Sequence, residues 1–171
     1  MIYWESFKHR DLTYTLEHLH PMPWVLIQEA RGGNPERTYR IETIFSLHTF
    51  TRSKEAHHDD DLSYSDSREQ RTFCFERYKD SKHLPAIIRD MGMGYVQHTG
   101  HQNFLRIDTS HGTYEIYFVV RRSKKREFDL EIFVQSAYAR SKGNSPKAGK
   151  IKFYVVAYNT LHNKPIKPPR R

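Results

Sequence analysis

Along most of this chain apolar residues recur at every second position, the spacing of a strand with one buried face. Residues 11–19 (DLTYTLEHL) put Leu12, Tyr14, Leu16 and His18 on one side, and Trp24–Glu29 (WVLIQE) forms a second strand after the break at His20-Pro21-Met22-Pro23. Gly32-Gly33-Asn34-Pro35 is a turn by composition. The two strands before it read as an antiparallel hairpin. Thr38–Phe50 is a third strand, with Tyr39, Ile41, Thr43, Phe45 and Leu47 opposite Arg40, Glu42, Ile44, Ser46 and His48. Arg71–Tyr78 alternates Phe73 and Phe75 with polar residues and reads as a short strand or extended segment. Thr113–Val120 and Phe128–Tyr138 are the strongest strands, joined through Arg121–Arg126 as a hairpin, and Ile151–Tyr158 is the last strand.

One stretch changes period. Leu84, Ile87, Ile88 and Met91 form a helical stripe that Gly92 ends, Pro85 fits only the first turn, and Asp80 or Ser81 can cap the start. The pattern predicts an α+β fold: one domain over 1–171, dominated by antiparallel β-sheet in about seven to nine strands, with one substantial helix at about 81–91. Within it, 1–53 holds N-terminal strands, 54–70 a flexible acidic loop, 71–160 a helix plus β-meander and 161–171 a basic, proline-rich tail.

Composition narrows the class. In 171 residues, 37% are hydrophobic and 13% aromatic, enough for one real core, while 28% are charged. No run reaches membrane-span length, and MIYWESFKHR lacks the apolar core of a signal peptide, so the expectation is a cytoplasmic protein with no membrane partner. Cys74 is the sole cysteine, which excludes an internal disulfide and a cysteine zinc site; it reads as a packing residue. Net charge is +8, and it is uneven: residues 86–171 carry sixteen Lys/Arg against six Asp/Glu, a local +10, leaving −2 in residues 1–85. A polyanion suits such a field, and nucleic acid comes before a membrane because the cations lie on strands and loops.

Candidate chemistry centres on Tyr95–Arg106 (YVQHTGHQNFLR), read as strand, tight turn, strand, with His98 and His101 flanking the turn. Two imidazoles that titrate near neutrality and a guanidinium suit phosphodiester chemistry without a metal or other cofactor. A polar surface loop is the plainer reading of each histidine alone. A second set follows the third strand, where His48, Thr49, Thr51, Arg52 and Ser53 could bind a phosphate or simply run out into a loop. His57, His58, Asp59, Asp60 and Asp61 lack a scaffold on which metal ligands would converge. Arg71, Arg77 and Tyr78 lie on the short strand; Ser136, Tyr138 and Arg140 end the long one. The tip RRSKKR, with Arg121, Arg122, Lys124, Lys125 and Arg126, is either a solubilising turn or an arm that grips a polyanion.

From Lys82 onward, the order of helix, meander, basic hairpin and a long strand ending in Ser136-Ala137-Tyr138 resembles the helix-plus-four-stranded-sheet core of the barnase, colicin D/E5 and RelE-like ribonucleases. The resemblance covers the C-terminal half. It implies metal-independent RNA cleavage by transesterification, often in a toxin. By position it makes His98 and His101 acid/base candidates, turns Arg106, Arg121 and Arg122 toward phosphate, and matches Ser136 and Tyr138 to a Ser/Thr-x-Tyr-like strand ending. A glutamate of the barnase kind has no evident counterpart, and neither does the N-terminal portion.

The expected function is thus a metal-independent endoribonuclease. His98 or His101 would take the 2′-hydroxyl proton, the other or His48 would protonate the leaving oxygen, and Arg106 with Arg52 or Arg77 would stabilise the phosphorane. Partners would be free RNA, tRNA or ribosome-bound mRNA, with an acidic antitoxin protein. Two alternatives stand beside it. A non-catalytic nucleic-acid-binding module would use Tyr114, Tyr117, Phe133 or the tip, and an accessory or immunity-type subunit would meet an acidic protein.

Overall fold

The structure is a computed structural model, and it describes residues 3–55, 60–99, 103–109, 112–140 and 148–167. Its frame is a seven-stranded sheet in the order β12-β8-β9-β10-β11-β4-β3. In chain order the strands and helices are β1 (Phe7–His9), β2 (Leu12–Tyr14), β3 (Met22–Gln28), β4 (Arg37–Phe45), β5 (Thr51–Arg52), β6 (Ser63–Ser65), β7 (Gln70–Phe73), α1 (Phe75–Ser81), α2 (Leu84–Met91), β8 (Tyr95–His98), β9 (Asn103–Thr109), β10 (Gly112–Arg122), β11 (Leu130–Arg140), β12 (Gly149–Lys152) and α3 (Phe153–Leu161). The smaller strands form a β1-β2 hairpin and a β5-β7-β6 sheet. The fold is α+β, and the large sheet is antiparallel except where β4 and β11 run parallel.

β10 and β11 are rich in β-branched and aromatic residues, and they pair over Thr113↔Arg140 to Arg122↔Leu130. Their register slips between Tyr117 and Phe118, leaving Gln135 as the extra residue of a bulge. β4 pairs with β11 only up to Val134, and beyond it Ser46 turns the chain away, its N–H donating to Val134 O at 3.0 Å and its hydroxyl to Gln135 O at 2.6 Å. On the edge away from β10, the C-terminal part of β11 therefore meets α1 and the 3-10 turn Leu47–Thr49 instead of a strand.

Alternation decides the core face. Tyr39, Ile41 and Phe45 of β4, Ile116 and Phe118 of β10, and Leu130, Ile132 and Val134 of β11 pack with Leu84, Ile88 and Met91 of α2 and Phe153, Val156 and Ala157 of α3. Each large side chain so buried contributes about 1.5–3 kcal/mol. Beneath the N-terminus lies an aromatic cluster in which Phe7 stacks on Phe73 at 4.1 Å and Trp4 meets Phe50 edge-on at 5.4 Å. Trp4 Nε1 donates to Phe45 O at 3.0 Å, which ties that cluster to the sheet.

Several elements differ from the sequence expectation. Residues 11–19 are not one strand: β2 ends at Tyr14, a 3-10 turn follows at Glu17–Leu19, and β3 pairs with β4 (Trp24↔Ile41). The reason is burial, since Leu16 and Leu19 are both fully buried, a three-residue spacing that a strand cannot place on one face. The strand at 71–78 stops at Phe73; Phe75 is 38% exposed, and α1 opens with Tyr78 N donating to Cys74 O. The helix expected at 81–91 begins at Leu84 behind His83, without a side-chain cap, and the Ser81 hydroxyl instead donates to Tyr78 O. Ile151–Tyr158 is mostly helical, because Phe153, Val156 and Ala157 reach the core at helical spacing. Within 54–70 the 3-10 turn Asp60–Leu62 and β6 are ordered, and Tyr64 donates to Glu5 O at 2.9 Å; His57, His58 and Asp59 lie outside the described residues. No helix among the described residues is long and apolar enough to cross a membrane.

Candidate nucleic-acid interface

The helices cover one face of the large sheet, and the positions that alternate with the core line the other. Register sets Arg106 beside Glu115, Glu115 beside Tyr138, and Tyr117 between Phe104 and Ser136. Glu115 is fully buried, accepting from Tyr117 Oη at 2.6 Å and Arg140 Nε at 2.8 Å, with Arg106 Nε at 3.7 Å. Arg140 also reaches Tyr117 Oη and Tyr138 Oη at 3.1 and 3.2 Å. Burial and the Glu115 carboxylate push the Tyr117 phenol well above its ordinary range, and the bond to Glu115 holds Arg140 protonated more firmly than usual. Phe104, Tyr117 and Tyr138 stack in sequence across the three strands at 5.4 and 5.9 Å.

Beside this network, where β4 leaves β11, a cleft of about 320 Å³ is lined by Ser46, His48, Arg68, Glu69, Phe133, Gln135 and Ser136. His48 Nε2 lies 2.6 Å from Glu69 Oε1, with both side chains 37% exposed. Arg71 backs Glu69 at 3.2 Å and donates to Thr51 Oγ1 at 2.9 Å. The bond from His48, and then that from Arg71, holds Glu69 below the usual carboxylate range. Arg77, on α1, donates to His48 O and Thr51 O and lies over the Tyr138 ring at 5.2 Å; burial lowers its pKa. Such a cleft offers an imidazole–carboxylate pair, a serine hydroxyl and cationic walls to a polar or anionic group.

Of the residues singled out from sequence, His48, Arg71, Arg77, Ser136, Tyr138 and Arg140 fall at or beside this cleft. His98 does not: it is 4% exposed, pairs in register with Asn103 and Gly149, and its Nδ1 lies 2.8 Å from Asn103 Oδ1 while Nε2 has no hydrogen-bond partner among the described residues. His101 lies outside the described residues. Arg106 belongs to the Glu115 network, and Arg52 is exposed on β5. At the hairpin tip Arg121 donates to Glu131 Oε1 at 2.7 Å and Lys125 grips both Glu42 oxygens at 2.6 Å, whereas Arg122, Lys124 and Arg126 are exposed and form no ion pair with a described residue. The tip is anchored by Asp129, whose carboxylate accepts from Arg40 N and its guanidinium. Sequence reasoning missed Glu69 and Glu115. A glutamate in the middle of TYEIYFVV, with arginines on the neighbouring strands, was the available signal for the second; Glu69 sat in a stretch read as loop.

A comparison with protein families matches residues 6–161 to the family described as the YjaZ family. The chain belongs to the YjaZ family. Protein YjaZ of Escherichia coli (strain K12) is 31% identical over 179 residues, covering 98% of this chain and 96% of that protein. No solved structure matches. Membership corrects the resemblance to the barnase, colicin and RelE-like ribonucleases, because the family match runs across both halves of the chain. The topology gives the physical reason: β11, the final strand of that C-terminal core in the resemblance, takes a parallel partner from the N-terminal portion.

Proposed function

We propose that this YjaZ family member binds RNA on the sheet face opposite its helices, with the hairpin tip as electrostatic arm. The observation that carries the reading is the tip itself: Arg122, Lys124 and Arg126 are exposed and unneutralised by any described carboxylate, and they adjoin a face where Arg121 lies 5.9 Å from the partly exposed Phe133 ring. Stacking on such a ring contributes about 1–3 kcal/mol per base, and each phosphate contact to a single strand adds about 0.7 to the salt slope. The reading carries with it a cytoplasmic location. Replacing Arg122, Lys124 and Arg126 together by Ala should flatten the slope of log K against log salt by about two units in a titration with labelled single-stranded RNA. An unchanged slope removes the tip from the interface.

A second reading, metal-independent RNA cleavage, is favoured by the 2.6 Å His48–Glu69 pair in a cleft with Ser136. One member would take the 2′-hydroxyl proton as that oxygen bonds to phosphorus, and the other would return a proton to the departing 5′ oxygen. RNA fragments that form in EDTA and fall by about 100-fold with His48→Ala support cleavage; intact RNA with undiminished binding leaves the protein a binding module.

A further inference from the structure

The outer edge of the large sheet carries a second surface. β3 ends the strand order and pairs with β4 alone among the described residues. Its Val25 and Ile27 are 54% and 49% exposed, and Met93, after α2, is 69% exposed. Three hollows of about 380, 300 and 200 Å³ follow this strand, and they share walls at Ile27, Met93, Gln28 and Tyr154, so they make one groove. Its floor lies close beneath the strand, since a Cβ on Gly92 would stand 3.0 Å from Leu26 Cδ1 and 3.1 Å from Trp24 Cζ3.

The backbone of β3 is suited to accept a guest. Proline is tolerated in an edge strand where its nitrogen faces away from the partner. That orientation of Pro23 removes one outward donor at the start of the strand but turns the N–H and C=O groups of Val25 and Ile27, at the two-residue period, outward, so the guest is placed along Val25–Ile27. A free edge of this kind is a template for strand addition.

We propose that the groove takes an extended, acidic peptide segment of a partner protein, added to β3 as a further strand. An extended main chain matches the outward donors and acceptors of β3, while alternate side chains reach Leu26 and Met93 in the groove. Charge selects the partner: Arg31, Arg37, Arg89 and Lys152 line the groove and pair with no described carboxylate, and among the described residues Glu29 is the one acid on its walls. A second copy of this chain is a poorer occupant, because it would set the same cations against one another and place a second Pro23 in the ladder. The inference is independent of the RNA reading, which concerns the sheet face and the hairpin tip.

The probe is a fluorescein-labelled peptide of about nine residues alternating valine with glutamate, compared by anisotropy with the same peptide carrying lysine for glutamate. The acidic peptide should bind and the lysine peptide should bind at least about tenfold more weakly. Arg89→Glu with Lys152→Glu should remove about tenfold or more of the affinity. Arg31→Glu, on the exposed turn after β3, provides a second variant that disturbs no buried contact, and thermal melting checks that each variant is folded. N-methylation of alternate peptide amides should abolish binding. Absence of binding by the acidic peptide, equal affinity for the two peptides, or insensitivity to N-methylation or to the charge reversals in folded protein overturns the proposal. So does sedimentation showing a dimer that Ile27→Lys separates, which would assign the edge to self-association.

Discussion

Two polar clusters share the face of the sheet opposite the helices, and they differ in what surrounds their carboxylates. Glu115 is fully buried and accepts from Tyr117 and Arg140, with Arg106 nearby. Glu69, just before β7, is 37% exposed and shared between His48 and Arg71 at the wall of a cleft that β11 also lines. The first set has its donors directed inward at one acceptor and little room for a ligand. The second keeps polar groups at a surface that a ligand can reach. Residue identity alone would rank them alike, since both join arginines to a glutamate; burial separates a fastening from a candidate site.

The largest test of that separation removes a donor from the covered cluster. Arg140→Met removes the guanidinium that lies 2.8 Å from the fully buried Glu115 carboxylate, and should cost about 3 kcal/mol in urea unfolding. A loss below 1 kcal/mol would mean that water reaches Glu115 and that the two clusters are not different in kind. Tyr117→Phe deletes a single donor to Glu115 and should cost about 1–2 kcal/mol by the same measurement.

In the cleft the expected effect on stability is smaller. His48→Ala should change it by at most about 1 kcal/mol, because an exposed ion pair contributes little. Its trace should appear instead in the pH dependence. Glu69 is depressed in the folded state, so its contribution is complete above the ordinary carboxylate value of 4.5 and is lost as pH falls through the lower folded value. His18, half-buried and 2.8 Å from Ser81 Oγ, is depressed by burial and then by Lys82. Its contribution is complete above 6.5 and is lost as pH falls below that value. Melting temperature should thus fall below pH 6.5 and again below 4.5; His18→Gln should reduce only the first fall and Glu69→Gln only the second, in which Asp66 and Asp129, likewise depressed in the folded state, keep a share.

Much of the framework was readable in the sequence. The alternation of Tyr39, Ile41, Thr43 and Phe45 marked the buried face of β4, and the runs of valine, isoleucine and aromatics marked β10 and β11. What misled was chemistry that two backbones can use. FYVVAYNTL has the residues of a strand, yet Phe153, Val156 and Ala157 fit the core at helical spacing, and packing overrides propensity. Likewise Phe73 and Phe75 look equivalent, but only Phe73 is buried, so the strand ends between them. At the site, sequence supplied His48, Ser136 and Tyr138 but could not pair them, because the parallel β4–β11 contact that brings them together joins parts of the chain far apart in sequence. His98 offered the same chemical promise, and Asn103 holds it inside.

That parallel contact also sets a schedule for synthesis. Ile41 pairs with Leu130 and Phe45 with Val134, partners 89 residues apart. At about 5–20 residues per second a ribosome needs roughly 5 to 20 s to make the intervening chain. During that interval β4 can hold β3 on one side, while its other edge, with Ile41 and Phe45 on its apolar face, waits on the nascent chain. The emerging N-terminal segment is therefore the stage at which this protein is most in need of a chaperone, and the arrival of β11 is what relieves it.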